Sequence, residues 1–217
     1  MSSQDEDTNK FKFRIRDALD RSCSQIIMNE VPSYLLSEKF KGKFVNNPII
    51  RTEESMKFPD AYSPRCDVAI GPFSYLPGRN LNDIYKELLR LQIIKDFISK
   101  IEQRSLARPN EYRHGFNKNP RCFISFEIEH STAGDLKHVL GSLSNASFMG
   151  KVGVVIFYDH AKDRISNLIR YLYRADEKLH LKMFRNACFI SKTNFDEILA
   201  SLDERHIQIE NHRARPI

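Results

Sequence analysis

Two glutamates stand close together at the end of one apolar segment. Residues 122–131 read CFISFEIEHS, so Glu127 and Glu129 are separated by a single isoleucine. If this segment is a β-strand, positions i and i+2 share a face and lie about 6.5–7 Å apart along the chain. Two carboxylates side by side on a buried strand repel each other and lose hydration. Because a bound cation relieves both costs, the pattern predicts a metal site.

A third acid belongs to the same predicted edge of the sheet. Asp67 stands at the start of the short apolar segment CDVAIG. If this segment pairs antiparallel with the strand of Glu127, the start of one strand lies beside the end of the other. The three carboxylates would then converge, and their hard oxygen atoms suit Mg²⁺ or Mn²⁺. The alternative is a strand that ends at the protein surface, where the acids are solvated.

The elements that position these acids follow from hydrophobic periodicity and from glycine and proline breaks. In chain order we predict a helix over 11–28, an edge strand over 45–51, a loop over 53–64, a strand over 66–73, a long helix over 80–103, a strand over 123–129, a helix over 133–149, a strand over 151–158, a helix over 161–178, a strand over 186–191 and a helix over 193–203. The alternation in the second half predicts parallel strands there. The fold class is therefore α/β, with a mixed central sheet flanked by helices.

The placement of the acids resembles that in the PD-(D/E)XK, or restriction-endonuclease-like, nucleases. That superfamily has an aspartate at the start of one core strand and an acidic-x-lysine triplet on the next, followed by a helix and a further strand. Asp67 matches the aspartate, Glu127 the acidic position and Glu129 the lysine position. The resemblance covers roughly residues 11–158. It implies one restriction-endonuclease-like domain over 1–217, in which 74–120 form a helical insertion between the halves of the motif.

The same resemblance implies a metal-dependent endonuclease that hydrolyses DNA phosphodiester bonds, in a restriction or mobile-element defence setting. Asp67 and Glu127 would hold Mg²⁺ or Mn²⁺. Glu129 departs from the pattern, although some restriction enzymes of the superfamily carry a glutamate there. A carboxylate at this position would act as a general base or as a further metal ligand. The alternatives are a catalytically inactive nucleic-acid-binding or protein-interaction module on the same fold, and an enzyme that acts on RNA or small phosphoesters.

Several other residues are weaker candidates for the same site. Glu53 follows the predicted first strand and could add a ligand, or it is a surface glutamate. His130 could contact a phosphate or the attacking water, or it is a hydrogen-bonded structural histidine. Lys137 could replace the missing motif lysine, or it is an exposed helix lysine. Asp60 forms a literal Pro-Asp pair, but no apolar strand follows it directly, and we prefer Asp67.

The charge balance favours an anionic partner without proving one. The chain has 34 Lys and Arg against 28 Asp and Glu, a net charge of +6. Basic residues crowd the loop before the Glu127 strand, and we expect Arg113, Lys118 and Arg121 to contact a DNA backbone. The alternative is an ordinary solvated loop.

The remaining composition sets the broad class of protein. A hydrophobic content of 41% and a charged content of 29% are those of a soluble globular chain. The absence of a long apolar run and of an apolar leader segment predicts a cytoplasmic protein without a membrane partner. The four cysteines lack metal-binding spacing, and we expect reduced, mostly buried thiols. DNA is the expected partner, and a homodimer is left open.

Overall fold

A mixed sheet of five strands carries the candidate site. The computed structural model describes residues 7–24, 50–55, 65–73, 81–106, 117–118, 120–130, 136–179 and 184–213. Its strands are β1 (Ile50–Ser55), β2 (Arg65–Ile70), β3 (Cys122–Glu129), β4 (Gly150–Phe157) and β5 (Ala187–Ser191). Its α-helices are α1 (Thr8–Leu19), α2 (Asn82–Leu88), α3 (Gln92–Arg104), α4 (Leu136–Met149), α5 (Lys162–Leu179) and α6 (Lys192–Arg213).

The strands lie in the order β1-β2-β3-β4-β5. The first three form an antiparallel meander, whereas β3, β4 and β5 are mutually parallel. Each parallel pair is joined through a helix, α4 or α5, as a crossover between parallel strands requires. The predicted α/β class, the flanking helices and the parallel second half are therefore confirmed.

Apolar side chains cover both faces of the sheet. Val154 joins a core built with α1, α2, α3 and α6, whereas its neighbour Val155 joins a core built with α4 and α5. In the first core, the Phe126 ring of β3 packs against the Phe195 ring of α6 with the centroids 5.7 Å apart. Burial on both faces explains why the β4 sequence reads as a continuous apolar run.

The first strand lies later in the chain than the sequence predicts. The expected strand over 45–51 shares only Ile50 and Arg51 with β1, and residues 45–49 lie outside the described part of the chain. Glu53 and Glu54 consequently belong to β1 and not to a loop after it. The strand does lie at an edge of the sheet, as predicted. Charged residues on an edge strand discourage pairing with other chains. In β1 they also interrupt the apolar pattern by which a strand is recognised in a sequence.

The single helix predicted over 80–103 is wrong, because α2 ends at Leu88 and α3 begins at Gln92. Backbone hydrogen bonds from Arg90 to Glu87 and from Leu91 to Leu88 close the turn between them. Tyr85 of α2 and Phe97 of α3 are both fully buried in the first core. These helices of the predicted insertion therefore form part of the main core.

Two other helix ends also differ from prediction. Helix α6 begins at Lys192 and continues to Arg213, well beyond the expected end at residue 203. Helix α1 ends at Leu19 and is followed by a π-helical turn, Asp20–Ser24. The expected start of the helix after β3, over 131–135, lies outside the described residues.

The structure describes the side chains of three of the four cysteines. Cys66, Cys122 and Cys188 are buried thiols that form no disulfide. This arrangement confirms the expectation of reduced, buried thiols for those three residues.

Candidate functional site

The acids meet at the edge of the sheet where β2 begins and β3, β4 and β5 end, here called the carboxyl edge. The β2–β3 register pairs Val68 with Phe126 and Ala69 with Ser125. Continued by one residue, it places Asp67 opposite Glu127. Opposite residues of antiparallel strands have Cα atoms about 4.5–5.5 Å apart. The predicted antiparallel pairing of these strands is confirmed, and it brings the Asp67 and Glu127 backbones together.

Asp67 is held by two different partners. Its Oδ2 atom accepts a hydrogen bond from the backbone N–H of Ile128 at 2.7 Å. Its Oδ1 atom lies 2.6 Å from the Nζ atom of Lys12 on α1. The side chains of Lys12 and Asp67 are 14% and 18% exposed, so water screens this ion pair only partly. The carboxylate is therefore fixed at the carboxyl edge beside a positive charge that the sequence did not reveal.

Glu127 and Glu129 are both 6% exposed. Glu129 accepts a hydrogen bond at its Oε2 atom from the Ser142 hydroxyl of α4 at 2.9 Å. Ser125 donates to the Ala146 carbonyl of the same helix at 2.7 Å, so α4 covers this face of β3. Across the parallel pairing, Glu127 lies beside Val155 of β4. Glu127 therefore stands between Asp67 and an apolar strand, while Glu129 is turned toward α4.

A divalent metal ion needs several oxygen ligands that converge on one point. Within residues 7–24, 50–55 and the later described ranges, no group of three or more His, Cys, Asp or Glu side chains could hold one metal. The three-carboxylate site of Asp67, Glu127 and Glu129 therefore stays a prediction. Mg²⁺ is commonly bound by one or two carboxylates together with waters and substrate phosphates. Asp67 and Glu127 are the two carboxylates that would have to meet that smaller requirement.

His130 packs against an aromatic ring at the carboxyl edge. It follows β3 directly, and its ring meets the Tyr158 ring edge-on with the centroids 4.5 Å apart. Tyr158 follows β4 and also lies 6.5 Å from the Phe11 ring of α1. His130 thus contributes aromatic packing at this edge, and both the phosphate contact and the hydrogen-bonded structural role considered for it stay predictions.

Of the other weaker candidates, only Lys137 has a described side chain. Lys137 is exposed on the first turn of α4. Glu53 lies in β1, but its side chain is outside the described part of the structure, as is the whole of Asp60. None of the three is brought to Asp67 by a described contact.

The basic residues expected to bind DNA lie at the opposite end of β3. Arg121 immediately precedes β3, and its N–H bonds to the Met149 carbonyl at the end of α4. Arg121 lies six positions before Glu127, a span of roughly 20 Å along the strand. Lys118 is exposed near the same end, and Arg113 lies outside the described residues. Arg121 and Lys118 are therefore too distant to contact a phosphate bound at Asp67 and Glu127.

A different set of cations lies near the carboxyl edge. Arg14 of α1 and Lys192 of α6 approach the Phe11 ring, at 4.9 Å and 4.7 Å from its centroid. Both also form ion pairs with Asp196, at 2.8 Å and 2.9 Å. These residues come from the two ends of the chain, so no local pattern could have placed them beside the acids.

Asp159 lies at the same edge, where it caps the start of α6. Its Oδ2 atom accepts hydrogen bonds from the N–H and the hydroxyl of Thr193, at 3.2 Å and 2.7 Å, in the first turn of α6. Partial burial acts to raise the pKa of Asp159, but the hydrogen bonds from Thr193 and Ser191 outweigh it and lower the pKa below its usual value. Asp159 is an ionised helix cap.

Comparisons with known proteins add no family. No family model, no curated protein and no solved structure matches this chain. Among the described helices, none is long and apolar enough to cross a membrane.

Proposed function

We propose that this protein is a metal-dependent nuclease that hydrolyses DNA phosphodiester bonds at the carboxyl edge. The observation that carries the proposal is the antiparallel β2–β3 register, which, continued by one residue beyond Val68 and Phe126, brings Asp67 opposite Glu127. Both residues are largely shielded from water. The order of elements supports it, because the aspartate on β2 and the acids on β3 are followed by α4 and the parallel strand β4. This is the order of elements that the resemblance to the PD-(D/E)XK superfamily implies.

Phosphodiester hydrolysis requires the chain mainly to position the reacting groups and to supply charge. Asp67 and Glu127 would hold Mg²⁺ or Mn²⁺, which when bound lowers the pKa of a water and offsets charge on the phosphate oxygens. In hydrolysis, the water oxygen forms a bond to phosphorus while one phosphorus–sugar oxygen bond breaks. The water proton passes to a carboxylate, and the departing sugar oxygen takes a proton from solvent. Glu129 is our candidate for that carboxylate, with Ser142 holding its Oε2 atom.

The burial of Glu127 gives its carboxylate a reason to bind a cation. A carboxylate on a residue that is 6% exposed has lost most of its hydration. A divalent cation shared with Asp67 would offset this cost. The Lys12 ammonium already offsets the charge of Asp67.

Cleavage of supercoiled plasmid DNA tests the proposal. We expect cleavage in the presence of Mg²⁺ or Mn²⁺ and a loss of at least about 100-fold in Glu127→Gln, because a neutral amide is a much poorer metal ligand. Glu87→Gln is the matched control, since Glu87 lies on α2 in an ion pair with Arg90 away from the site. RNA of the same length, assayed in parallel, decides between the two nucleic acids. Equal cleavage by wild type and Glu127→Gln would contradict the proposal.

A second function, a catalytically inactive nucleic-acid-binding or protein-interaction module, is favoured by one specific observation. Lys12 and Ser142 already provide Asp67 and Glu129 with partners from the chain itself. Such an arrangement is stable without metal. Salt-sensitive DNA binding with no Mn²⁺ binding and no cleavage of either nucleic acid would support this module over the nuclease.

A further inference from the structure

The Lys12–Asp67 ion pair places a fixed positive charge at the candidate metal site. The Nζ–Oδ1 distance is 2.6 Å, and both side chains are mostly shielded from solvent. The sequence separation of 55 positions means that only the packing of α1 against the sheet creates this contact. Lys12 is therefore a feature of the folded site and not of the sequence motif.

Helix α1 has little freedom to withdraw this charge. Phe11 and Ile15, which flank Lys12 on the helix, are both 0% exposed in the first core. The Asn9 N–H donates an N-cap hydrogen bond to the Asp7 carboxylate, which fixes the start of the helix. The Lys12 ammonium therefore reaches Asp67 from a helix that is packed in the core. A large movement of the Lys12 side chain would have to break the ion pair.

We propose that Lys12 sets the charge of the nuclease site through its ion pair with Asp67. It contributes the positive charge that Glu129, in the place of a lysine, does not supply. This inference rests on the proposed function. It assigns a role to a residue on α1, outside the strands that carry the acids.

Two effects of opposite sign follow from this position. An ammonium beside a metal-binding carboxylate repels a divalent cation, so its removal strengthens metal binding. The same ammonium stabilises the additional negative charge that develops on a phosphate during hydrolysis, so its removal slows cleavage. A lysine that served folding alone would not shift the two quantities in opposite directions.

The test compares Lys12→Met with wild type by calorimetric titration of Mn²⁺ and by plasmid cleavage at saturating Mn²⁺. We expect Mn²⁺ to bind about tenfold more tightly and cleavage to fall by about tenfold or more. Lys12→Arg, which keeps the charge, should restore both quantities toward wild type. Lys10→Met is the matched control, because Lys10 is an exposed lysine on the same helix and its loss removes the same formal charge.

Thermal unfolding of each variant accompanies the titrations, and Lys12→Gln replaces Lys12→Met if the latter does not fold. Unchanged Mn²⁺ affinity and unchanged cleavage in the Lys12 variants, with an active wild type, would overturn the role of Lys12 and leave the nuclease intact. Weaker Mn²⁺ binding together with slower cleavage would also overturn it, since that result indicates a structural role. A wild type that neither binds Mn²⁺ nor cleaves would overturn the proposed function, and the role of Lys12 with it.

Discussion

A second buried lysine, Lys151, shows how differently one residue type behaves at the two ends of the sheet. Lys151 begins the buried run of β4 and is 2% exposed. Its Nζ atom donates to Asn82 Oδ1 at 2.6 Å and to the Asn117 carbonyl at 2.9 Å, both neutral oxygens. Burial lowers the pKa of Lys151, and repulsion from Lys86 lowers it further. These two hydrogen bonds connect α2 and the segment before β3 to the sheet. Neither bond has a carboxylate as its acceptor.

The lowered pKa of Lys151 predicts a particular dependence of stability on pH. Between its lowered pKa and the ordinary lysine value, the unfolded chain binds a proton that the folded chain releases, so stability rises with pH in that window. Lys151→Met should remove this rise, because methionine does not titrate. Urea unfolding at several pH values from neutral to alkaline measures the slope.

Lys95→Met is the control for this measurement, since Lys95 is exposed on α3. Its free energy of unfolding should keep the wild-type slope against pH. An identical slope in wild type and Lys151→Met would show that the buried amine remains charged throughout the window.

At the residue scale, the sequence predicts which acids form the candidate site but not which cations pair with them. Strand alternation placed Glu127 and Glu129 on one face, and the antiparallel pairing with β2 brought in Asp67. Nothing in the sequence distinguishes Lys12 from Lys10, two positions away on the same helix. The difference arises only from which side of α1 packs on the sheet.

Helix α4 approaches the sheet closely enough to hold Glu129, and small residues make this approach possible. A Cβ atom on Gly153 of β4 would lie 2.9 Å from the backbone carbonyl of Ala146. Ser125 of β3 donates to that same carbonyl. Further along α4, the close packing places the Ser142 hydroxyl on Glu129. The position of the candidate general base is therefore set by the contact between α4 and β4.

Gly153→Ala should weaken this contact. Because the added methyl group meets backbone atoms that cannot turn away, we expect a loss of about 1–3 kcal/mol in the free energy of unfolding. Gly141→Ala is the matched control on α4, where a Cβ meets nothing within 4 Å. There we expect a gain of about 0.5–1 kcal/mol, because alanine favours a helix more than glycine does. Urea unfolding distinguishes the two, and a Gly153→Ala variant as stable as wild type would contradict the close approach.

At the element scale, the buried strands were predictable and the polar or interrupted elements were not. The apolar runs of β3, β4 and β5 identify these strands because both of their faces are covered. The polar strand β1 carries little apolar pattern. The break between α2 and α3 is concealed because the apolar residues of both helices keep helical spacing across it, while each helix packs in the core on its own.

At the scale of the whole molecule, the candidate acids and two of the cations expected to bind DNA lie at opposite ends of the sheet. The carboxyl edge holds Asp67, Glu127 and Glu129, together with Lys12 from α1. Arg121 and Lys118 lie at the other end of β3, beside the buried amine of Lys151. A duplex bound at the carboxyl edge would have to run along the sheet to reach both, a path of roughly 20 Å or six base pairs. The net charge of +6 favours such a polyanion in general terms.

The central claim is that Asp67 and Glu127 together bind a divalent metal ion, and calorimetric titration with Mn²⁺ tests it most directly. We predict that wild type and Glu87→Gln bind Mn²⁺ with equal affinity, and that Asp67→Asn and Glu127→Gln each lose at least about tenfold, because each variant removes one of the two carboxylates. A wild type that shows no Mn²⁺ binding, or variants that bind as tightly as wild type, would contradict the account.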